Sequence, residues 1–455
     1  MGTGADSVKT YSAVLHKKPN DAEALAALEA LLTDESVRAE AARALIPAYE
    51  AVKEHRKLVA ALDLVAEMTQ DQLERVLALQ QAAHVHLHHL RQPELAFAAL
   101  SRALRLSPAD PNLRTAARRA AEDADSMDGF ATVLKELVSR PDLESGARVA
   151  LHRDLADVQE KKLGDRRGAI AQLESVLVID PGNIDALRGL QRLLRATEDW
   201  KRLVSVLDNL AGVVPDPAEK IALWREMALL REGKLEDRDA AASAWRRVSE
   251  ADPLNREAVS ALDRLYTALG KFENLAFALE LRRAQEGQSP QGREATFRLA
   301  QLRRERLHDY GGALQLLAQV LSEDPGHTAT LDLLDAWARS HDSESRSALE
   351  TLDPFLSRSG QHARRVAIRE ARIADALSDE KIRLTQEIRS IQEREMGQPQ
   401  RAFQSAGQAF AQNVDRAAAK ADLERLARVT GSYEELASTY ETVAAETRGP
   451  DPDKA

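Results

Sequence analysis

The densest group of side chains able to do chemistry is His84-Val85-His86-Leu87-His88-His89. His84 and His88 stand four residues apart, which puts two imidazoles on one face of a helix, where a zinc or nickel ion could be held. The run lacks the acidic base of a His-Glu-x-x-His site. In the repeats described below, the places of His88 and His89 are taken by Lys161 and Lys162, Gly233 and Lys234, and Glu305 and Arg306. Those are solvent-seeking residues, so the simpler expectation is an exposed helix face, with no metal and no cofactor.

Arginines form a second pattern. Arg192, Arg264 and Arg425 follow the leucines at 190, 262 and 423 by two residues, and Arg195, Arg339 and Arg428 follow Leu190, Leu334 and Leu423 by five. A guanidinium fork matches a carboxylate with two parallel hydrogen bonds. Such a row would suit an acidic segment or a chain's C-terminal carboxylate. The plainer alternative is solvated helix charge paired with acids one turn away. The clusters Arg303, Arg304 and Arg306, and Arg364, Arg365, Arg369 and Arg372, read as solvated faces, and Trp200, Trp224, Trp245 and Trp337 read as packing between repeats. No phosphate loop, dinucleotide fingerprint, nucleophile elbow or calcium loop occurs, and Gly270-Lys271-Phe272 is a turn. An enzyme is not expected.

The composition agrees. The 455 residues carry a net charge of −10, opposite to the basic surface on which sequence-independent nucleic-acid binding depends. With no cysteine, disulfides, thiolate metal sites and cysteine nucleophiles are excluded. No stretch has the length and apolarity of a membrane span, and the first residues lack a signal pattern. The expected compartment is the cytoplasm, with the periplasm open if the chain is cut from a longer protein. Aromatics at 4% and sparse Gly and Pro leave most of the chain free to be helical, with a core of Leu, Ala and Val.

The elements that position these residues repeat. Pro-centred turns recur at Pro19, Pro108, Pro181, Pro253 and Pro325, the last four spaced 73, 72 and 72 apart. Upstream lie Leu90-Arg91-Gln92, Leu163-Gly164-Asp165, Leu235-Glu236-Asp237, Leu307-His308-Asp309 and Met396-Gly397-Gln398, each followed by an alanine: Ala96, Ala169, Ala241, Ala313 and Ala402. Aromatics open helices at Trp200, Phe272 and Tyr433, with Phe130 a looser fourth. Pro181, Pro217 and Pro253 are 36 apart, which divides the unit into two helical hairpins. Apolar residues at i, i+4 and i+7, as in Ala169, Leu173 and Val176, mark amphipathic helices. Asp or Asn beside each turn can cap the next helix. One hairpin cannot bury its apolar face alone, so neighbours must stack.

Two intervals stretch to 89 residues, Pro19 to Pro108 and Pro325 to Val414, each gaining about one helix. The extra segments align, Ala44–Tyr49 with Thr351–Leu356. Pro19 to Pro325 is 306 residues and Pro47 to Pro354 is 307, which implies a higher-order period.

These features resemble the tetratricopeptide repeat family, whose helix pairs of about 34 residues carry a small residue early in the second helix and a closing Pro. Gly164 to Ala169 with Leu173, Val176 and Pro181 matches the second half of that motif. Met227-Ala228 and Leu299-Ala300 resemble its first-helix pair, and Trp224 sits where the family favours Trp. Leu203, Leu275 and Leu436 depart from it, standing where Ala is preferred. The resemblance implies an all-α, right-handed α-solenoid over residues 1–446. It would contain about six 72-residue double repeats, the first incomplete, with extra-helix inserts near 33–50 and 340–358 and a disordered tail at 447–455. It further implies that the first helix of each pair lines a concave groove. Arg192, Arg195, Arg264, Arg339, Arg425 and Arg428 are then the candidate partner-binding residues. The implied function is a protein-interaction scaffold that takes peptides or domains, acidic segments among them. The alternatives are a structural subunit of an envelope or motility machine, or the non-catalytic arm of a longer protein. The oligomeric state is left open.

Overall fold

In a computed structural model, the structure describes residues 4–340, 342–374, 376–412 and 416–448. Among these, all regular structure is helical. The chain divides into two compact units, Met1–Glu236 and Asp237–Ala455. Within each unit, helices pack against helices one or two places away in the chain, as stacking of hairpins requires.

Two kinds of turn alternate. The Pro-type turns enter a helix through a side-chain cap. Asp21 accepts from the Ala24 amide at 3.2 Å, Asn183 from Ala186 at 3.0 Å and Asn255 from Ala258 at 3.0 Å. These caps satisfy amides that have no partner inside the helix. The other turn closes the hairpin through a residue at positive φ, placed two residues before the second helix. Arg91, Gly164, His308 and Gly397 precede helices that begin at Pro93, Arg166, Tyr310 and Pro399, and Glu236, the last residue of the first unit, is also at positive φ. Lys53, Asp125, Glu198, Gly270, Gly360 and Gly431 likewise precede His55, Met127, Trp200, Phe272, His362 and Tyr433. The second helix of the Phe130 hairpin therefore opens three residues earlier than its aromatic suggests, at Met127.

The recurrent alanines are wholly buried between helices, where a small side chain permits close packing. Ala96, Ala169, Ala241, Ala313 and Ala402 are all 0% exposed. Trp245 and Trp337 are fully buried, whereas Trp200 and Trp224 are only partly so. Trp200 is covered by the Lys234 ammonium at 5.4 Å, and Phe272, 72 residues on, is covered by the Arg306 guanidinium at 5.0 Å. The same aromatic–cation contact recurs one period apart.

The long intervals each hold a helix with proline inside it, Arg38–Ala51 with Pro47 and Ser345–Arg358 with Pro354. Positive-φ turns at Lys53 and Gly360 join these helices to the next ones in the ordinary way. The helices before them, Ala22–Leu31 and Thr328–Arg339, are followed by no positive-φ residue among the described residues of their turns. Each long interval also contains a π turn, His86–Leu90 and Ile391–Glu395, and both turns close alike. The Gln92 amide donates to the His86 carbonyl at 2.9 Å and the Gln398 amide to the Gln392 carbonyl at 2.8 Å. The 306-residue period thus reproduces an irregular backbone feature as well as a length. Val414 lies outside the described residues. The last helix, Tyr433–Arg448, runs two residues into the segment expected as a tail, and 449–455 lie outside the described residues.

Candidate interaction face

In the first unit, the first helices of three successive hairpins are Pro111–Asp123, Ser145–Lys161 and Ile184–Ala196. Between them opens a cavity of about 450 Å³. Its apolar lining is small or recessed: Ala150, Ala156, Leu173 and Gly189. A Cβ on Gly189 would stand 2.8 Å from a Leu173 methyl, so glycine lets these two helices approach.

The rest of the lining is charge, in equal numbers of each sign. Arg114, Arg118, Arg153 and Arg192 face Asp154, Asp157, Glu160 and Asp185. Each arginine reaches an acid on a neighbouring first helix. Arg114 Nε lies 2.9 Å from Asp154, Arg118 2.6 Å from Asp157, Arg153 2.8 Å from Asp185 and Arg192 2.6 Å from Glu160. Burial pushes the Asp154 carboxyl above its ordinary range, further than Arg114 pulls it down. Burial acts on Asp157 too, but hydrogen bonds and charge from Lys161 and Arg118 outweigh it and hold that carboxyl low.

The candidate arginines fall in different settings. Arg192 lines the cavity. Arg195, on the same helix, pairs with Glu226 at 2.5 Å. Arg425 forks onto Glu393 at 2.6 and 2.8 Å, the same 32-residue reach as Arg192 to Glu160. Arg264 stands on the equivalent first helix, Arg256–Leu269, in the second unit. Arg428 is exposed and has no partner among the described residues. Arg339 ends the helix Thr328–Arg339, where it pairs with Asp335 one turn back and reaches the Ala367 carbonyl at 3.4 Å. The first five stand on first helices of hairpins that a positive-φ turn closes. Arg114, Arg118 and Arg153 escaped the sequence reading because the neighbours that define them lie 32 to 40 residues away.

Contrary to expectation, the cluster at Arg364, Arg365, Arg369 and Arg372 is not a solvated face, whereas in the other cluster Arg306 is exposed and Arg303 and Arg304 are half-buried. Arg365, Arg369 and Arg372 are each at least nine-tenths buried. Asp353 takes both Arg365 (Nε 2.9 Å, Nη2 2.8 Å) and Arg369 (2.7 Å). Arg369 also meets Glu387 at 2.8 Å, Arg372 meets Glu380 at 2.7 Å, and Glu395 closes on Arg365 and His362. Arg303 bridges Glu280 (2.9 Å) and Asp309 (3.3 Å), and Arg304 lies over the Trp337 ring at 4.8 Å. Arg365, Arg369 and Arg372 can be buried because the acids that neutralise them arrive on packed neighbouring elements.

His84, His88 and His89 are exposed and His86 is buried, its Nδ1 3.0 Å from Gln92 Oε1. Burial and the neighbouring His88 and His89 charges push the His84 imidazole below its usual value.

The 72-residue pair of hairpins, the positive-φ closure and the buried alanine on one second helix of each pair together decide the class. The fold is a tetratricopeptide-like helical repeat. No family model matches this TPR-like array, and no curated protein matches it. Many of the solved structures that it resembles are TPR proteins. It is similar to the structure of Naa15/Naa10 bound to HypK-THB at 15% identity and a TM-score of 0.32, covering 98% of this chain and 80% of that one. It is also similar to the TPR2AB domain of yeast Sti1 in its complex with pHSP90, at 14% identity and a TM-score of 0.25, covering 62% and 98%. A third is the C-terminal part of a TPR repeat-containing protein from Cytophaga hutchinsonii, at 14% and 0.28, covering 56% and 98%.

Proposed function

We propose that the protein is a non-catalytic interaction scaffold that takes extended peptide segments of mixed charge in the first unit's cavity. The observation that carries this reading is the open lining of four arginines and four carboxylates over small apolar residues. An open charged groove favours a reversible partner over a permanently buried subunit, which would expose apolar area instead. A uniformly acidic segment would have to displace internal acids and leave them unpaired. A segment alternating Lys or Arg with Asp or Glu can exchange partners on both sides, so every charge stays matched. Arg428, exposed on a first helix of the second unit, is a separate candidate contact there. A cytoplasmic setting belongs to the same reading, and no helix of the described residues is long and apolar enough to cross a membrane.

The test is fluorescence anisotropy of the whole chain with labelled acidic, basic and alternating-charge peptides. The alternating class is expected to bind, weakening as salt rises. Arg118→Glu with Arg192→Glu should cut affinity about tenfold or more. Equal affinity in that variant, or no binding by any class, defeats the reading.

A further inference from the structure

The π turn His86–Leu90 changes what the histidine run presents. A regular helix would swing His89 away from His84. The wider turn leaves His88 and His89 both beside it, with ring centres 4.5 and 6.0 Å from His84. A fourth ring comes from the neighbouring helix His55–Met68. His55 lies flat on His89, 4.2 Å away with 3° between planes, and its Nδ1 is buried without a hydrogen-bond partner. This stack occupies the place that Trp200 with Lys234, and Phe272 with Arg306, hold in other repeats, at the same 34-residue separation. There the contact is aromatic and cation. Here it is two imidazoles, and the stack fixes one edge of a three-histidine surface group.

We propose that His84, His88 and His89 bind one borderline divalent transition metal, with Zn2+ as the working case and His55 as a positioning residue. An imidazole bound at about 2.0–2.1 Å puts its ring centre about 3.2 Å from the metal, so two rings at octahedral or tetrahedral angles stand about 4.5–5.2 Å apart. The His84–His88 distance of 4.5 Å already falls there, with the rings inclined by 52°. Among the described residues no three such side chains yet share the geometry of a bound ion. His89 has to close on His84 by about an ångström, a shift that its ring can make within its own plane while it stays on His55. His55 cannot join as a ligand while stacked, because a metal lies in the plane of each imidazole that binds it and the two planes are parallel. Three histidine ligands leave a fourth position for water or for a ligand from a partner. The acidic Glu50 is close enough to act on His84 and adds attraction for a cation.

Isothermal titration of the full chain with ZnCl2 at neutral pH tests this, with Co2+ absorption as a second readout. One Zn2+ per chain with micromolar affinity is expected. His84→Ala with His88→Ala should lower affinity more than about tenfold, and His55→Ala about tenfold through loss of the stack. His308→Ala, at an exposed histidine elsewhere, should leave binding unchanged. Circular dichroism checks folding, and the single variants His84→Gln and His88→Gln replace the double variant if helix is lost. No saturable binding below about 1 mM, or unchanged affinity in folded His84 and His88 variants, overturns the proposal.

Discussion

At the scale of single residues, the same arginine–carboxylate pair serves two energetic roles. Arg192 is more than half exposed and Glu160 is accessible beside it, so Arg192→Ala should change stability by no more than about 1 kcal/mol. Asp353 neutralises two arginines that are over 90% buried. Asp353→Ala leaves both without that partner and should cost about 3–5 kcal/mol, read as a lower urea midpoint in the second unit. Acid should act through the same group. Burial raises the Asp353 carboxyl, but hydrogen bonds and charge from Arg365 and Arg369 prevail and hold it below its ordinary value. Asp263 behaves alike between Arg298 and Arg282. An acid depressed on folding contributes stability in full above its unfolded pKa, about 3.9, and that contribution is lost as pH falls through the folded value. Stability of the second unit should therefore decline below about pH 4, with a shallower slope in Asp353→Asn. Little of this was legible beforehand. Arg365 and Arg369 show four-residue spacing and nothing more in sequence, whereas the acids that bury them come from positions 353, 387 and 395.

At the scale of the helix and its turns, legibility was far better, because punctuation is local chemistry. Proline, a capping Asp or Asn and an alanine at fixed offsets locate each 72-residue pair of hairpins without any tertiary information. The positive-φ closure was partly visible. Gly164, Gly270, Gly360, Gly397 and Gly431 advertise it, but Lys53, Asp125, Glu198 and Glu236 adopt the same conformation with a side chain that strains it. Glu198→Gly should therefore stabilise the first unit by about 0.5–1 kcal/mol, seen as a higher thermal midpoint. The opposite sign is expected at the close approaches. Ala169→Leu inserts three carbons where nothing is exposed and should cost about 1–3 kcal/mol. The π turns were hidden, since a π turn has no composition of its own. The added length of each long interval was legible from the spacing of its prolines, because an insertion shifts every landmark after it.

At the scale of the whole molecule, each unit is a row of nearest-neighbour contacts. Damage should then stay near where it is made. Hydrogen exchange on Ala96→Leu should accelerate in Gln72–Val85 and Pro93–Leu106, which pack on each other, while Ile184–Ala196 and Trp200–Val213 keep their protection. Uniform acceleration across the first unit would contradict a stack of separable hairpins. The repeat period was readable from the sequence for the same reason that contacts are short in range. Each hairpin meets nearly the same neighbour, so nearly the same residues return every 72 positions.

That shortness of range bears on how the chain comes into being. A helix whose partners lie one or two places away in the chain waits for little more than the next hairpin. Each hairpin can dock as soon as it leaves the ribosome, onto the one already in place, and the growing end never exposes more than one uncovered face.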